Sequence, residues 1–370
     1  MSTSWATTEG TARYRQRFAH LVAPGHFRQE RGLWFSSIGL GTYLGGYDDE
    51  TDARYREAIL RAVELGCNVI DTAINYRFQR SERSIGQALR VLFEKGRAAR
   101  DELIIATKGG YIPFDGAPPI DTAQYMKETF FDPGIITPAD LAGGGWHCMT
   151  PAYLEHQLER SRENLGLECI DIYYLHNPEQ QLGEIPRAAF TERLRAAFEF
   201  LEAKVREGKI RMYGVATWNG FRQSPKAPDY LSLRDLIDLA RDIAGIDHHF
   251  RVIQLPYNLG MLEALGKRNQ PYDGEMLSTL EAAARLGIIV MTSASLLQSQ
   301  LARGLPAFVS ECLSGLDTDA QRAIQFVRST PGVTTALVGM SQVSHVEENL
   351  KTARVPPAPL EDFLKLFQKR

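Results

Sequence analysis

The chain has 370 residues, 44% hydrophobic and 24% charged, with a formal net charge of −3. A chain of this make-up can bury a sizeable core, and its weak negative balance without a Lys/Arg run argues against nucleic acid as a partner. No apolar run approaches the roughly 18 residues that span a bilayer, and the start MSTSWATTEG lacks a basic-then-apolar leader, so a cytoplasmic protein with no membrane partner is expected.

Residues 1–35 read as an amino-terminal extension ending in a strand or hairpin around FRQERGLWF. From about residue 36, short Ile/Val-rich runs alternate with longer segments of helical period, as β/α units around a parallel sheet do. Strands are expected at SSIGLGT (36–42), NVIDTA (68–73), LIIATK (103–108), CIDIYYLH (169–176), RMYGVAT (211–217), VIQLPYN (252–258), GIIVMTSAS (287–295) and TTALVGM (334–340). Their continuous apolar character suits burial on both faces. Residues 53–66 form a helix with Tyr55, Ile59, Ala62, Val63 and Leu65 on one stripe and Gly66 as its stop. A second helix covers 81–95 with Ser81 as N-cap, and Thr150 and Pro151 open a third. No GxGxxG follows the first strand, so the expected fold is an α/β protein with a closed (β/α)8 TIM barrel over 36–355, in preference to an open doubly wound sheet. Residues 111–149, rich in Gly, Pro and aromatics, are a long insertion after the third strand. The tail 356–370 carries a short amphipathic helix over 360–367, expected to pack across the barrel or its mouth.

Chemistry in such barrels sits at the carboxyl-terminal strand ends, which selects Asp71, Tyr76, Lys108 and His176. Their types suit carbonyl reduction, in which carbon receives a hydride and oxygen a proton. A phenol with a pKa of about 10 is a poor acid at neutral pH. A buried ammonium on Lys108 beside Tyr76 is expected to lower that value, with Asp71 keeping the lysine charged. His176 is placed to hydrogen-bond the substrate oxygen. Cys67, Cys148, Cys169 and Cys312 lack CxxC spacing and read as reduced thiols. His147 beside Cys148 shows no partner, and His248 and His249 read as a surface loop pair without a third ligand, so no metal site is expected. A metal-dependent hydrolase would need more strand-end ligands than Asp71 and His176.

Taken in order, NVIDTAINY, IIATK and LGLECIDIYYLHNPE resemble the aldo-keto reductases, and the resemblance runs from about Ser37 to Lys351. It implies Asp71, Tyr76, Lys108 and His176 as a catalytic tetrad for hydride transfer between a nicotinamide and an aldehyde, ketone, sugar or alcohol. NADP(H) is the implied cofactor, with NAD(H) as the alternative. The implied cofactor contacts are Thr42, Thr217, Gln254, Ser295, Leu297, Ser299, Gly339, Ser341, His345, Glu348 and Asn349. The chain departs from the pattern after the fifth strand, where Ala216 and Thr217 replace a Ser-Asn pair, and at Ala294, where a Tyr stacks on the nicotinamide in the family. In VGMSQVSHVEENL, His345 stands where an Arg is expected, so the permanent charge that favours a 2'-phosphate is missing. Ser341 and the helix start after it offer a phosphate cradle. The insertion leaves directly from Lys108 and is expected to cover the pocket, with Tyr111, Phe114, Tyr125, Phe130, Phe131 and Trp146 available to the substrate. A second reading is similar to the potassium-channel β subunits: a regulatory barrel whose bound nicotinamide reports redox state with slow or no turnover. The oligomeric state is left open.

Overall fold

The computed structural model of the protein describes residues 3–368. Eight parallel strands close into a barrel in chain order. They are β1 (Ile38–Gly41), β2 (Val69–Asp71), β3 (Ile104–Gly109), β4 (Ile170–His176), β5 (Ile210–Ala216), β6 (Phe250–Pro256), β7 (Ile289–Ser293) and β8 (Thr335–Gly339). Each lies within two residues of its expected segment. One main helix follows each strand: α1 (Asp49–Glu64), α2 (Arg80–Glu94), α3 (Pro151–Leu165), α4 (Arg187–Arg206), α5 (Leu233–Ala244), α6 (Thr279–Leu286), α7 (Asp319–Ser329) and α8 (Val343–Leu350).

The strands are apolar throughout because both faces are covered. Val69, Ile104, Ala106, Ile172, Tyr174, Val252 and Met291 fill the barrel interior. Their neighbours Ile70, Ile105, Tyr173, Leu175, Ile253 and Val290 pack outward against the helices. The same two-residue step carries Asp71, Lys108, His176 and Gln254 onto the interior side at the carboxyl-terminal rim. The ring closes where Ala336 of β8 pairs with Ile38 of β1. Thr335 Oγ1 donates to the Ser36 carbonyl and Arg328 Nε to Ser37 Oγ, both at 2.9 Å, beside that seam.

The opposite end is plugged by the amino-terminal extension. The expected hairpin is present, pairing Phe27–Glu30 with Leu33–Ser36 around Arg31 and Gly32, whose φ of 47° and 84° form the tight left-handed turn. Leu33, Phe35 and Ala6 complete the interior core. A helix precedes the hairpin, Thr8–Phe18, with Thr7 accepting from the Gly10 amide at 2.9 Å as its cap. Asp171, at the same end, accepts from the amides of Ala6 (2.7 Å) and Ile105 (2.8 Å) and from Arg100 Nη2 (2.8 Å).

Two local expectations are corrected. Helix α2 starts at Arg80 with Gln79 before it, so Ser81 lies inside the first turn and donates to the Thr42 carbonyl (2.7 Å) instead of capping. His248 is buried, 2% exposed, where a surface position was expected, and its neighbour His249 bonds Glu202 at 2.8 Å. The tail helix, Leu360–Lys365, packs across the barrel's helical layer, one of its two expected placements, stacking Phe363 on Phe326 of α7 at 5.4 Å.

The insertion closes on itself. The Ile112 amide donates to the Trp146 carbonyl (2.9 Å) and the Cys148 amide to the Gly110 carbonyl (2.8 Å), making a neck at β3. Beyond the neck, Ile112, Met126, Phe130, Ile136, Cys148 and Tyr153 form a small separate core, with Tyr125 and Phe131 packed on it. Among the described residues no helix is long and apolar enough to cross a membrane.

Candidate active site

A cavity of about 440 Å³ opens at the carboxyl-terminal rim, and Asp71, Tyr76 and His176 stand on its wall. Behind them Lys108 Nζ donates to Asp71 Oδ2 and to the Thr72 carbonyl, each at 2.7 Å, while Gln254 Nε2 donates to Asp71 Oδ1 at 2.8 Å. The ammonium lies 4.9 Å from the centroid of the Tyr76 ring. That ring meets Tyr43 at 5.0 Å and His176 at 5.8 Å, edge to face. The four residues selected from the sequence are thus brought together.

Electrostatics correct one expectation. Burial pushes the Lys108 ammonium down and the Asp71 carboxyl up, and each charge opposes the shift of the other. Tyr76 is held well above the ordinary phenol value, first by burial and then by the Asp71 charge, where a lowered value was expected. Asp71 cancels the ammonium at hydrogen-bond range, so the phenol, partly buried on the cavity wall, faces a neutralised pair. His176 is driven well below its usual value by burial, reinforced by Lys108. At neutral pH the array therefore holds a protonated phenol beside a neutral imidazole. Such a site can hand a proton to an oxygen, and it offers no activated nucleophile.

The loop carrying Tyr76 is braced. Arg77, Phe78 and Gln79 all have left-handed backbone, with φ of 50°, 59° and 69°, a strain of roughly 1–2 kcal/mol for each non-glycine residue. It is held from both sides. Arg77 Nε donates to the Gly46 carbonyl at 2.6 Å and pairs with Asp52, while Gln79 Nε2 donates to the Phe114 carbonyl at 3.0 Å and Gln79 Oε1 accepts from Asn164 at 3.1 Å.

Of the implied cofactor contacts, Thr42, Thr217, Gln254, Ser295, Ser299 and Gly339 line the cavity. Several of their hydroxyls are already engaged. Thr42 Oγ1 donates to Thr72 Oγ1 and Ser295 Oγ to the Leu337 carbonyl, both at 2.8 Å. Thr217 Oγ1 donates to the buried Glu179 at 2.6 Å and accepts from the Gly220 amide at 2.7 Å. Leu297 is not on the wall, and its amide closes a turn onto the Ala294 carbonyl at 2.7 Å. Ala294, Leu297, Gln298 and Ser299 all have positive φ, so the segment after β7 turns sharply where Ala294, Ser295, Gln298 and Ser299 line the cavity. Ser341, His345, Glu348 and Asn349 are not brought to the cavity wall. Ser341 precedes α8 and the other three lie on it, with Asn349 buried and His345 exposed.

The wall also contains Tyr43, Leu44, Asn75, Asn177, Trp218 and Gln298, which the sequence reading did not select. All lie in loops within a few residues of a strand end, and that position is the signal that finds them. From the insertion, Tyr111 alone of the six aromatics reaches the wall. Among the described residues no group of three or more His, Cys, Asp or Glu side chains is placed to hold a metal ion.

The chain is similar to known proteins. The chain is 28% identical over 184 residues to the aldo-keto reductase yakc, NADP(+), of Schizosaccharomyces pombe, a match to 50% of this chain and 42% of that protein. It is 28% identical over 189 residues to the NADH-specific methylglyoxal reductase of Escherichia coli, covering 50% of this chain and 49% of that one. In both cases about half the relative's length is matched. A crystal structure of an aldo/keto reductase from Klebsiella pneumoniae, in complex with NADP and acetate, superposes over 94% of this chain and 98% of that one with a TM-score of 0.62 at 23% identity. The profile of the Aldo/keto reductase family matches residues 37–366, from the first barrel strand to the tail helix. With the closed barrel and the buried pair at its rim, that match makes this chain a member of the aldo/keto reductase family.

Proposed function

We propose that the chain is an oxidoreductase that uses NADP(H) to interconvert a carbonyl compound and its alcohol, with Tyr76 as the proton-transfer residue. The observation that carries this reading is the convergence of Tyr76, His176 and the Lys108–Asp71 pair on one cavity. Two features of the cavity fit a nicotinamide nucleotide. The tight turn from Ala294 to Ser299 lies on the cavity wall, where it is the segment to meet a pyrophosphate. Beside Tyr76, Asn75 Oδ1 and His176 Nδ1 are buried without hydrogen-bond partners, which leaves polar groups for a bound molecule.

Thr217 and Gln254 would hold the carboxamide end, Ser295 and Ser299 the pyrophosphate and Gly339 the start of the adenosine end, with Thr42 on the same wall. Leu297, Ser341, His345, Glu348 and Asn349, off that wall, would meet only the part of the nucleotide that extends beyond the cavity. The bound nicotinamide supplies or takes up the hydride. The protein handles the proton: the Tyr76 hydroxyl donates to the oxygen that becomes the alcohol, and the neutral His176 orients that oxygen. Lys108 and Asp71 shape the field beneath the phenol. The names of the matched relatives and of the similar structure support NADP(H), and the NADH-specific relative makes NAD(H) the competing outcome.

The test is a fluorescence titration with NADPH and with NADH, followed by a screen of aldehydes, ketones and sugars. Tighter NADPH binding and steady turnover support the proposal. Binding of neither nucleotide overturns it, and tight binding with turnover only over minutes favours a redox-reporting barrel.

A further inference from the structure

The insertion meets the active site at its neck, through His147. This imidazole is fully buried and bonded at both nitrogens: Nε2 lies 2.7 Å from the His176 carbonyl oxygen and Nδ1 2.9 Å from Gln181 Nε2. The neighbours decide where its proton sits. Arg193 Nη1 donates to Gln181 Oε1 at 3.1 Å, which turns the amide so that its NH2 group faces His147. An amide NH2 only donates, so Nδ1 accepts and the single proton is on Nε2, donating to the His176 carbonyl. Burial pushes His147 down to about 4, so the imidazole stays neutral through the physiological range. The approach is close enough that a Cβ on Gly110 would stand 2.7 Å from His147 Nε2.

The His176 side chain has no comparable bond. Its Nδ1 is buried without a partner, and its ring is held edge-on by Tyr76 at 5.8 Å and by Tyr111 at 4.9 Å. Tyr111 sits beside His147 at the same neck, 5.4 Å between rings, and its hydroxyl accepts from Asn177 Nδ2 at 2.9 Å. The backbone bond and one of the two flanking rings therefore both come from the insertion. Arg193 extends the link, donating to the carbonyls of Asp140 (3.2 Å) and Ala139 (3.1 Å) deeper in the same segment.

We propose that His147 is a positioning residue: from the neck of the insertion its Nε2–H fixes the His176 backbone and, together with Tyr111, sets the catalytic imidazole against the reacting oxygen. The proposal rests on the oxidoreductase reading above. It gives the insertion a role in the reaction through its neck.

The test compares His147→Phe with His147→Gln, whose longer amide can both donate to His176 and accept from Gln181. A misplaced catalytic group loses roughly ten- to a hundred-fold in rate. The expected result is a kcat drop of that size for His147→Phe, with KM and NADPH affinity within about two-fold of wild type, and recovery of most of the loss in His147→Gln. Should His147→Phe not fold, His147→Asn takes its place, since its shorter side chain cannot span both partners. Wild-type kcat in a folded His147→Phe or His147→Asn overturns the proposal, as does an equal loss in His147→Gln. Histidine ¹⁵N NMR of the wild type reads the brace without turnover: a proton on Nε2 is expected, and one on Nδ1 overturns the proposal even if the protein reduces no carbonyl. Absence of turnover in the wild type, by contrast, breaks the oxidoreductase reading.

Discussion

Two buried ion pairs stand at opposite ends of the barrel. Lys108–Asp71 at the carboxyl-terminal rim spans 2.7 Å with side chains 0% and 6% exposed, and Arg100–Asp171 at the plugged end spans 2.8 Å with 9% and 1%. Their surroundings differ. Asp171 is answered by two backbone amides as well as the guanidinium, which itself reaches the Leu103 and Cys169 carbonyls. Around Lys108–Asp71 the neighbours are a phenol, an imidazole with a free nitrogen and an open cavity. Both ends keep a buried nitrogen without a partner, Arg100 Nε at one and His176 Nδ1 at the other. What separates them is that the Arg100–Asp171 bonds tie backbone segments together, whereas Lys108–Asp71 backs a cavity at the strand ends where such barrels bind ligands.

Substitutions at the two ends should therefore separate activity from stability. Lys108→Met and Tyr76→Phe are expected to lower turnover by about 10²–10⁴-fold while NADPH still binds, as read by steady-state rates and fluorescence titration. Near-normal turnover in either variant would erase the distinction. Asp171→Ala leaves the Arg100 charge without its counter-ion and two amides unanswered and should cost about 3–5 kcal/mol of stability, with kcat per folded molecule unchanged, as read by denaturant unfolding beside active-site titration.

The pH dependence sharpens the contrast. Because Tyr76 is held above the ordinary phenol value, its acid form persists well past neutrality. The reduction rate should be flat in pH from about 6 to 9 as far as Tyr76 is concerned, and the oxidation rate should rise with pH as the phenolate forms. A reduction rate falling ten-fold per pH unit from neutrality would mean a lowered phenol pKa. The smallest effect concerns stability in acid. Burial lowers His26 to about 3 and His147 to about 4. The unfolded chain takes up these protons below pH of about 6.5 and the folded chain does not, so stability is lost as pH falls from there toward 4. His26→Gln should flatten that part of the Tm–pH curve.

The barrel strands were legible because burial on both faces leaves continuous Ile/Val runs, and Asp71, Lys108 and His176 because a two-residue step places them on the interior rim. The Thr8–Phe18 helix was not, since only four of its residues, Gly10, Thr11, Tyr14 and Phe18, are buried and the rest, Ala12 apart, is polar. Nor was the Arg77–Gln79 turn, whose left-handed backbone contains no glycine to mark it. The direction of the Tyr76 shift depended on the Asp71 charge and on burial together, and residue types do not give that balance. Tyr43, Asn75 and Trp218 sit in loops, where no periodicity selects one side chain over the next. His147 was read as partnerless because its partners, His176 and Gln181, lie 29 and 34 residues away in the chain.

The seam between β1 and β8 also constrains how the molecule forms. Thr335 and Ser36, bonded beside it, are 299 residues apart in sequence. Contacts so distant along the chain form slowly, because the entropy of bringing the ends together must be overcome before the contact gives anything back. Until then both terminal strands present bare backbone edges, to which another molecule of the same chain can pair. Ring closure is thus the step most exposed to aggregation, and substitutions at the seam should show first as lost refolding yield, at activities per folded molecule that are unchanged.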